Sequence, residues 1–421
     1  MSCGTPEPIA PASRIVEIDM VRGFALFGVL LVNMYGFGAD SMAWDAPADR
    51  LAFGIMHVFF DSKSWTLFSM LFGVGFALKL QTAEDRDLRI LPVFLRRLAV
   101  LFAIGAVHAL LYEGDILMLY AELGLALLVV RRLPTRLLLL VAVGMLLVFP
   151  VAHFADPDWQ PDGMRFVDSV DDARTLLERE QRTSVYVTGS VAEIAAYNSE
   201  VIPENPLEEV YWADSGVAAF AMFLLGFSIG RSGVLRDIPG HTASIARVRS
   251  WGLGFGLAAM AVERVLAAAG GYAVYRPNHA GPVVTLAGDL LFAFGTVALA
   301  LGYGAMIILA AQTSRGRAAL APLAGVGRLA LTVYLTQTLI FTTIFYGYGF
   351  GLAYRLGPVV VTGLAVVIFA GQVIGCQWWL QRFRFGPAEW LWRSLTYLSW
   401  QPLRLPSDSS SRDVAPRNTT K

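Results

Sequence analysis

Ten stretches of this 421-residue chain are each apolar over about 20 residues, enough to span a bilayer, and that feature excludes most folds. Hydrocarbon offers no partner to a backbone N–H or C=O, so a chain built this way must satisfy its own backbone as helices. The stretches fall near residues 20–38, 64–81, 92–112, 115–132, 134–154, 211–231, 250–270, 282–311, 323–346 and 357–379. Composition agrees: 56% of residues are hydrophobic and 16% charged, against about 25% charged in soluble domains. The expected fold class is all-α, a polytopic membrane helix bundle of about ten transmembrane helices. The first stretch follows Arg14, Asp19 and Arg22 with no small-residue cleavage site behind it, and reads as a retained helix.

Cytoplasmic loops collect Lys and Arg, so the distribution of basic residues orients the bundle. With the N-terminus inside, the inner segments hold 23 basic residues and the outer segments 8. One missed or invented span would flip every later loop and scramble this asymmetry, so both ends are expected in the cytoplasm. The chain then divides into an N-terminal five-helix half (1–155), an outer acidic segment (156–210) and a C-terminal five-helix half (211–380). Residues 381–405 alternate Arg with Phe, Trp and Leu, as in Arg382-Phe383-Arg384-Phe385, and are expected to form a cytoplasmic interfacial helix. Residues 406–421 read as a disordered tail. The outer segment is expected to carry a helical stretch around Asp171–Arg182. A formal net charge of zero argues against a nucleic-acid partner. Two distant cysteines, Cys3 and Cys376, form no disulfide framework.

An ionised side chain at mid-bilayer costs roughly 2.5–3.5 kcal/mol on insertion scales, so charged residues kept inside apolar stretches mark functional positions. The first group is Asp19 and Arg22, i,i+3 neighbours at the mouth of span one, with Asn33 returning to nearly the same face. An Arg obeying the positive-inside rule beside a partner Asp explains the same pattern. The second group is the hairpin between spans three and four, with His108, Tyr112, Asp115 and Glu122. An imidazole within reach of a carboxylate is the arrangement of a general base and its orienting group. A buried His bonded to a neighbouring helix, with Glu113 and Asp115 capping span four, is the plainer alternative. Lys63 at the mouth of span two is a further pocket candidate, ahead of a run to Gly73 and Gly75 that reads as packing. His57 sits on an amphipathic piece, Leu51 to Phe60, that suits the interface. In the C-terminal half, Glu263 and Arg264 point about 100° apart, which suggests partners on other helices such as Asp289. No metal-ligand spacing, phosphate loop or GxSxG elbow occurs.

Three C-terminal blocks carry a resemblance: Gly327-Arg328-Leu329-Ala330-Leu331-Thr332-Val333-Tyr334-Leu335-Thr336-Gln337, Phe345-Tyr346-Gly347-Tyr348-Gly349, and Phe383 through Tyr397. The N-terminal half adds Asp19-x-x-Arg22-Gly23, Asn33, Leu67 through Gly73, His108 and Gly114-Asp115-Ile116-Leu117. Together they resemble the YeiB-like bacterial membrane proteins of the domain-of-unknown-function 418 family. That family looks distantly related to transmembrane acyltransferases, which move acyl groups from cytosolic acyl-coenzyme A to sugars or other acceptors. The resemblance implies a multi-pass protein of the bacterial inner membrane whose N-terminal half is catalytic. It implies no bound cofactor, with acyl-coenzyme A as co-substrate. On it Arg22, with Asp19, Asn33 and Arg97 nearby, would bind the anionic donor. His108 would deprotonate an acceptor hydroxyl or amine near the outer face, on a carbohydrate or other small molecule, and Asp115 would orient it. The histidine that such acyltransferases carry near the end of the first helix is absent, and Asn33 stands in that region. The competing expectation is a small-molecule or proton-coupled transporter with a path along Asp115, Glu122, Glu263 and Asp289.

Overall fold

The computed structural model describes residues 14–38, 46–84, 91–155, 183–201, 214–270 and 281–405. The expected disordered tail and the helical stretch around Asp171–Arg182 lie outside the described residues. Among those described there is no strand. The first six helices are α1 (Val16–Gly38), α2 (Pro47–Phe59), α3 (Lys63–Glu84), α4 (Leu91–Ala109), α5 (Leu117–Val130) and α6 (Thr135–Ala155). They continue as α7 (Val191–Val201), α8 (Asp214–Arg231), α9 (Thr242–Gly270) and α10 (Pro282–Ala310). The last four are α11 (Ser314–Arg328), α12 (Ala330–Phe345), α13 (Pro358–Leu380) and α14 (Pro387–Tyr397). Seven segments, α2 and α3 counted as one, are long and apolar enough to cross a membrane, or eight with the bent pair α11–α12. The protein is therefore an all-α polytopic membrane bundle.

Ten full spans are not what these helices supply. α5 and α8 are shorter apolar helices; at 14 residues, α5 is about 21 Å long, less than the roughly 30 Å hydrocarbon core. The stretch 323–346 is not one helix either, because the axis turns by 80° between α11 and α12. The turn has a chemical partner. Glu389 on α14 accepts hydrogen bonds from the Leu331 and Thr332 backbone N–H groups at 2.7 and 3.1 Å, and from the Thr332 hydroxyl at 2.5 Å. A carboxylate thus satisfies the unbonded amides at the start of α12 and complements the positive end of its dipole. Burial pushes the Glu389 carboxyl above its usual range, opposed by the hydrogen bonds from Thr332 and Leu331.

Helix α1 runs through the centre, apolar and enclosed on several sides: Ala25, Leu26, Leu30 and Met34 are all fully buried. Lacking a hydrophobic drive between helices in lipid, such a bundle relies on small residues for close approach. At the α1–α11 crossing a Cβ on Gly23 would meet the Leu323 carbonyl oxygen at 2.1 Å, and one on Gly327 would meet the Asp19 carbonyl oxygen at 1.9 Å. The backbones touch, which holds Asp19 and Arg22 against α11. Gly73 and Gly226 make the same contact between α3 and α8, whereas Gly75, with open space around it, faces a cavity. The 381–405 segment forms a helix only over Pro387–Tyr397, and this helix packs on α4 and α12.

Candidate functional site

A cavity of about 1800 Å³ opens between α1, α3, α4, α5, the α11–α12 bend, α13 and α14. Nine basic side chains of the described residues line it: Arg14, Arg22, Lys79 and Arg97 from the N-terminal half, and Arg236, Arg317, Arg328, Arg384 and Arg393 from the C-terminal half. Among the described residues only two carboxylates share the wall, and both are engaged. Asp19 accepts from Arg22 Nη1 at 2.9 Å and from Arg14, through Nη2 at 2.9 Å and through Nε. Glu389 is held by the start of α12. Arg22 also donates to the Gly327 carbonyl at 3.4 Å, while Arg97 stacks 3.5 Å over the Trp392 ring, whose Nε1 donates to the Arg97 carbonyl at 2.8 Å. This leaves a strong excess of positive charge facing a common space.

The cations gather at one end because the chain enters α1, leaves α3 and enters α4 there. Moving from Lys79 back along α3, or from Arg97 forward along α4, the wall becomes Phe76, Phe72, Leu71, Phe68 and Leu101, with Leu117, Tyr120 and Tyr334 beyond. From Arg97 to His108 is eleven residues, about 16 Å along the helix axis. The cavity is thus amphipathic, cationic at one end and aromatic and aliphatic at the other. A hydroxyl pair interrupts the apolar part, Ser69 Oγ standing 2.5 Å from Tyr120 Oη.

His108 lies just past the apolar end. Its Nδ1 is 2.6 Å from Asp115 Oδ2 and its Nε2 is 2.8 Å from Thr338 Oγ1, with all three residues buried. Asp115 Oδ1 accepts the backbone N–H groups of Leu117 and Met118, both at 2.9 Å. Asp115 therefore precedes α5 as its capping residue, and the same carboxylate grips the imidazole. Its two oxygens divide two contacts, one capping α5 and the other bonding the imidazole. Neither His108 nor Asp115 is on the cavity wall. Tyr334 stands between, lining the cavity while its ring lies 5.1 Å from the imidazole and its hydroxyl reaches the Gly114 carbonyl at 3.4 Å. Tyr112 packs on the imidazole at 5.9 Å and on Phe341 at 5.0 Å. Beyond it an aromatic cluster of Phe37, Tyr186 and Tyr346 closes the other side, with Asn198 of α7 donating to the Leu110 carbonyl at 3.1 Å.

The remaining sequence candidates lie apart from this axis. Asn33 is half-buried on α1, about 16 Å beyond Arg22, and does not line the cavity. Glu122 is on α5, also off the wall. Lys63, fully buried, donates to the His57 carbonyl at 3.0 Å and sits 5.2 Å from the Phe292 ring centroid. His57 is not simply interfacial, since its Nδ1 is 3.0 Å from Asp61 Oδ2 and its ring stacks on Phe53 and Phe292. Glu263 is bonded by the neighbouring Arg264, which folds back on it, Nε to Oε2 at 2.6 Å, a reach that the angle between adjacent residues concealed. Asp289 instead pairs with His153 Nδ1 at 2.8 Å, a histidine the sequence reading passed over. Thr338, Tyr334 and Glu389 were likewise unmarked; Tyr334 and Glu389 fall within the recognisable C-terminal blocks, and Thr338 follows directly on the first. Among the described residues no group of three His, Cys, Asp or Glu side chains is arranged to hold a metal ion.

Fold and site define a polytopic helical membrane protein with an anion-attracting, amphipathic cavity that ends beside a buried imidazole–carboxylate pair. A family model described as a protein of unknown function, DUF418, matches residues 229–399. The uncharacterized protein YxaH of Bacillus subtilis is 31% identical over 420 residues, covering 94% of this chain and 98% of that protein. The uncharacterized protein YeiB of Escherichia coli is 30% identical over 417 residues, covering 91% and 96%. The chain belongs to this YeiB-like DUF418 family.

Proposed function

We propose that this protein is an integral-membrane acyltransferase of the bacterial inner membrane that draws acyl-coenzyme A from the cytoplasm. The observation that carries the reading is the amphipathic cavity: a donor with several phosphates and an apolar arm matches its cationic and apolar ends, and the reactive carbonyl would arrive at Tyr334, one side chain from His108. Positive charge in a low-dielectric cleft concentrates an anionic donor. His108, oriented by Asp115, acts as the general base that prepares a hydroxyl or amine for attack. The acceptor, a carbohydrate or another small molecule, approaches the imidazole from the side that the aromatic cluster closes, so that cluster must move to admit it.

The purified protein in nanodiscs should bind palmitoyl-coenzyme A, less tightly as salt rises, and release coenzyme A thiol to a nucleophile such as hydroxylamine. Replacing His108 with Ala should slow that release by about 10²–10⁴-fold without unfolding the protein. Unchanged release by the folded H108A protein would remove this residue from the chemistry. A transporter is the second reading, favoured by the broken helix pair α11–α12 beside the cavity, because transporters build their sites from discontinuous helices. Movement of an intact acyl donor into sealed vesicles, with no thiol released, would decide for it.

A further inference from the structure

Resting on the acyltransferase reading, we propose that Thr338 is the nucleophile of the transfer and carries the acyl group as a threonyl ester between donor and acceptor. The residue is 1% exposed, its hydroxyl is 2.8 Å from His108 Nε2, and His108 Nδ1 is 2.6 Å from Asp115 Oδ2. Nucleophile, base and orienting carboxylate in hydrogen-bond sequence are the general arrangement of an activated hydroxyl, recognised by geometry rather than by order in the chain. Three donors converge on the Asp115 carboxylate, namely two backbone amides and Nδ1–H. With the imidazole proton on Nδ1, Nε2 is the acceptor and Thr338 the donor.

The threonines beyond the first turn of α12, where Thr332 donates to Glu389, supply an internal comparison. A helical Thr ordinarily bonds back to a carbonyl one turn earlier, and Thr336, Thr342 and Thr343 do so at 2.9, 2.7 and 2.6 Å. Thr338 is 3.4 Å from the corresponding Tyr334 carbonyl and much closer to the imidazole. Its hydroxyl lies nearer to the base than to the carbonyl of its own helix, which it still reaches. Access follows from the same helix: Tyr334, one turn earlier, lines the cavity with its ring tilted 5.1 Å from the imidazole, so the proposed path from the cavity to the hydroxyl passes this side chain.

In the first half-reaction, His108 Nε2 takes the Thr338 proton while Oγ1 attacks the thioester carbonyl. The carbon–sulfur bond breaks, and the leaving thiolate takes the proton from the imidazolium to depart as coenzyme A. In the second half-reaction, the acceptor hydroxyl gives its proton to Nε2 and attacks the threonyl ester. Thr338 Oγ1 leaves and recovers the proton. No electrons are exchanged with an outside reagent.

The test mixes the full-length protein with palmitoyl-coenzyme A in the absence of acceptor and follows thiol release, then digests the protein for mass spectrometry. The expected result is a burst approaching one thiol per protein and one palmitoyl group on the peptide containing Thr338. T338S should keep both, whereas T338V, of nearly equal volume, should lose both and slow release to hydroxylamine by at least about 1000-fold. Release to hydroxylamine that depends on His108 but shows no burst, no acylated peptide and an active T338V would overturn the covalent step and leave the acyltransferase reading standing. Absence of any thiol release by the wild-type protein would overturn both.

Discussion

Replacing Asp115 with Asn changes one terminal atom and separates the two tasks of this side chain. The retained carbonyl oxygen still accepts the Leu117 and Met118 amides, now held by Asp115 Oδ1 at 2.9 Å each. The new amide N–H₂ faces His108 Nδ1, where the carboxylate stood at 2.6 Å. The imidazole answers by carrying its proton on Nε2, which turns the atom facing Thr338 from acceptor to donor and leaves no base there. Hydrogen bonds to a charged group contribute about 1.5–3 kcal/mol and neutral ones about 0.5–1.5 kcal/mol, so converting three bonds costs about 3 kcal/mol. The wrong tautomer, by contrast, lowers turnover by about 10⁴ in the well-known serine-protease case. D115A removes all three bonds and uncaps α5, so it should lose more stability than D115N. The assay pairs thiol release from palmitoyl-coenzyme A with urea unfolding in detergent micelles followed by circular dichroism. A folded D115N protein turning over within about tenfold of wild type would refute the orienting role.

Two further substitutions test the scaffold. G327L places a side chain where even a Cβ would meet the Asp19 carbonyl at 1.9 Å, so α1 and α11 must separate; overpacking of this kind costs roughly 1–3 kcal/mol, and an unchanged melting curve would contradict the close crossing. E389A strips the acceptor from the Leu331 and Thr332 amides; about 1–3 kcal/mol of stability should go with it, and hydrogen exchange should rise first at those two amides. Unaltered exchange there would show that another group caps α12.

What could be read ahead of the structure was what lies close along the chain. His108 and Asp115 are seven residues apart across a hairpin, and Asp19 and Arg22 one helical turn apart, so spacing alone brought each pair within reach. Asp115's double task was harder to see, because a capping residue belongs to neither helix and the pattern offered capping and catalysis as rivals. Thr338 is 230 residues from His108, and no periodicity links them. The bend at Leu329 was hidden for the same reason: its cap, Glu389, comes from a helix 58 residues beyond Leu331, and the apolar run from 323 to 346 gives no sign of it. The Glu263–Arg264 pair was hidden because backbone direction alone ignores how far a guanidinium can fold back. The basic cavity itself was half legible, since the N-terminal arginines were marked, but Arg328, Arg384 and Arg393 reach it only through the packing of α11, α13 and α14.

The central claim is that the cationic, aromatic-walled cavity is the seat of an acyl-coenzyme A whose carbonyl reaches Tyr334. An experimental density map of the protein in nanodiscs with a non-hydrolysable palmitoyl-coenzyme A thioether tests it most directly. The expected map has the phosphates among Arg22, Arg97 and Arg393, with the sulfur within one side chain of His108. A map with that cavity empty or filled by bilayer lipid at saturating ligand would contradict the account.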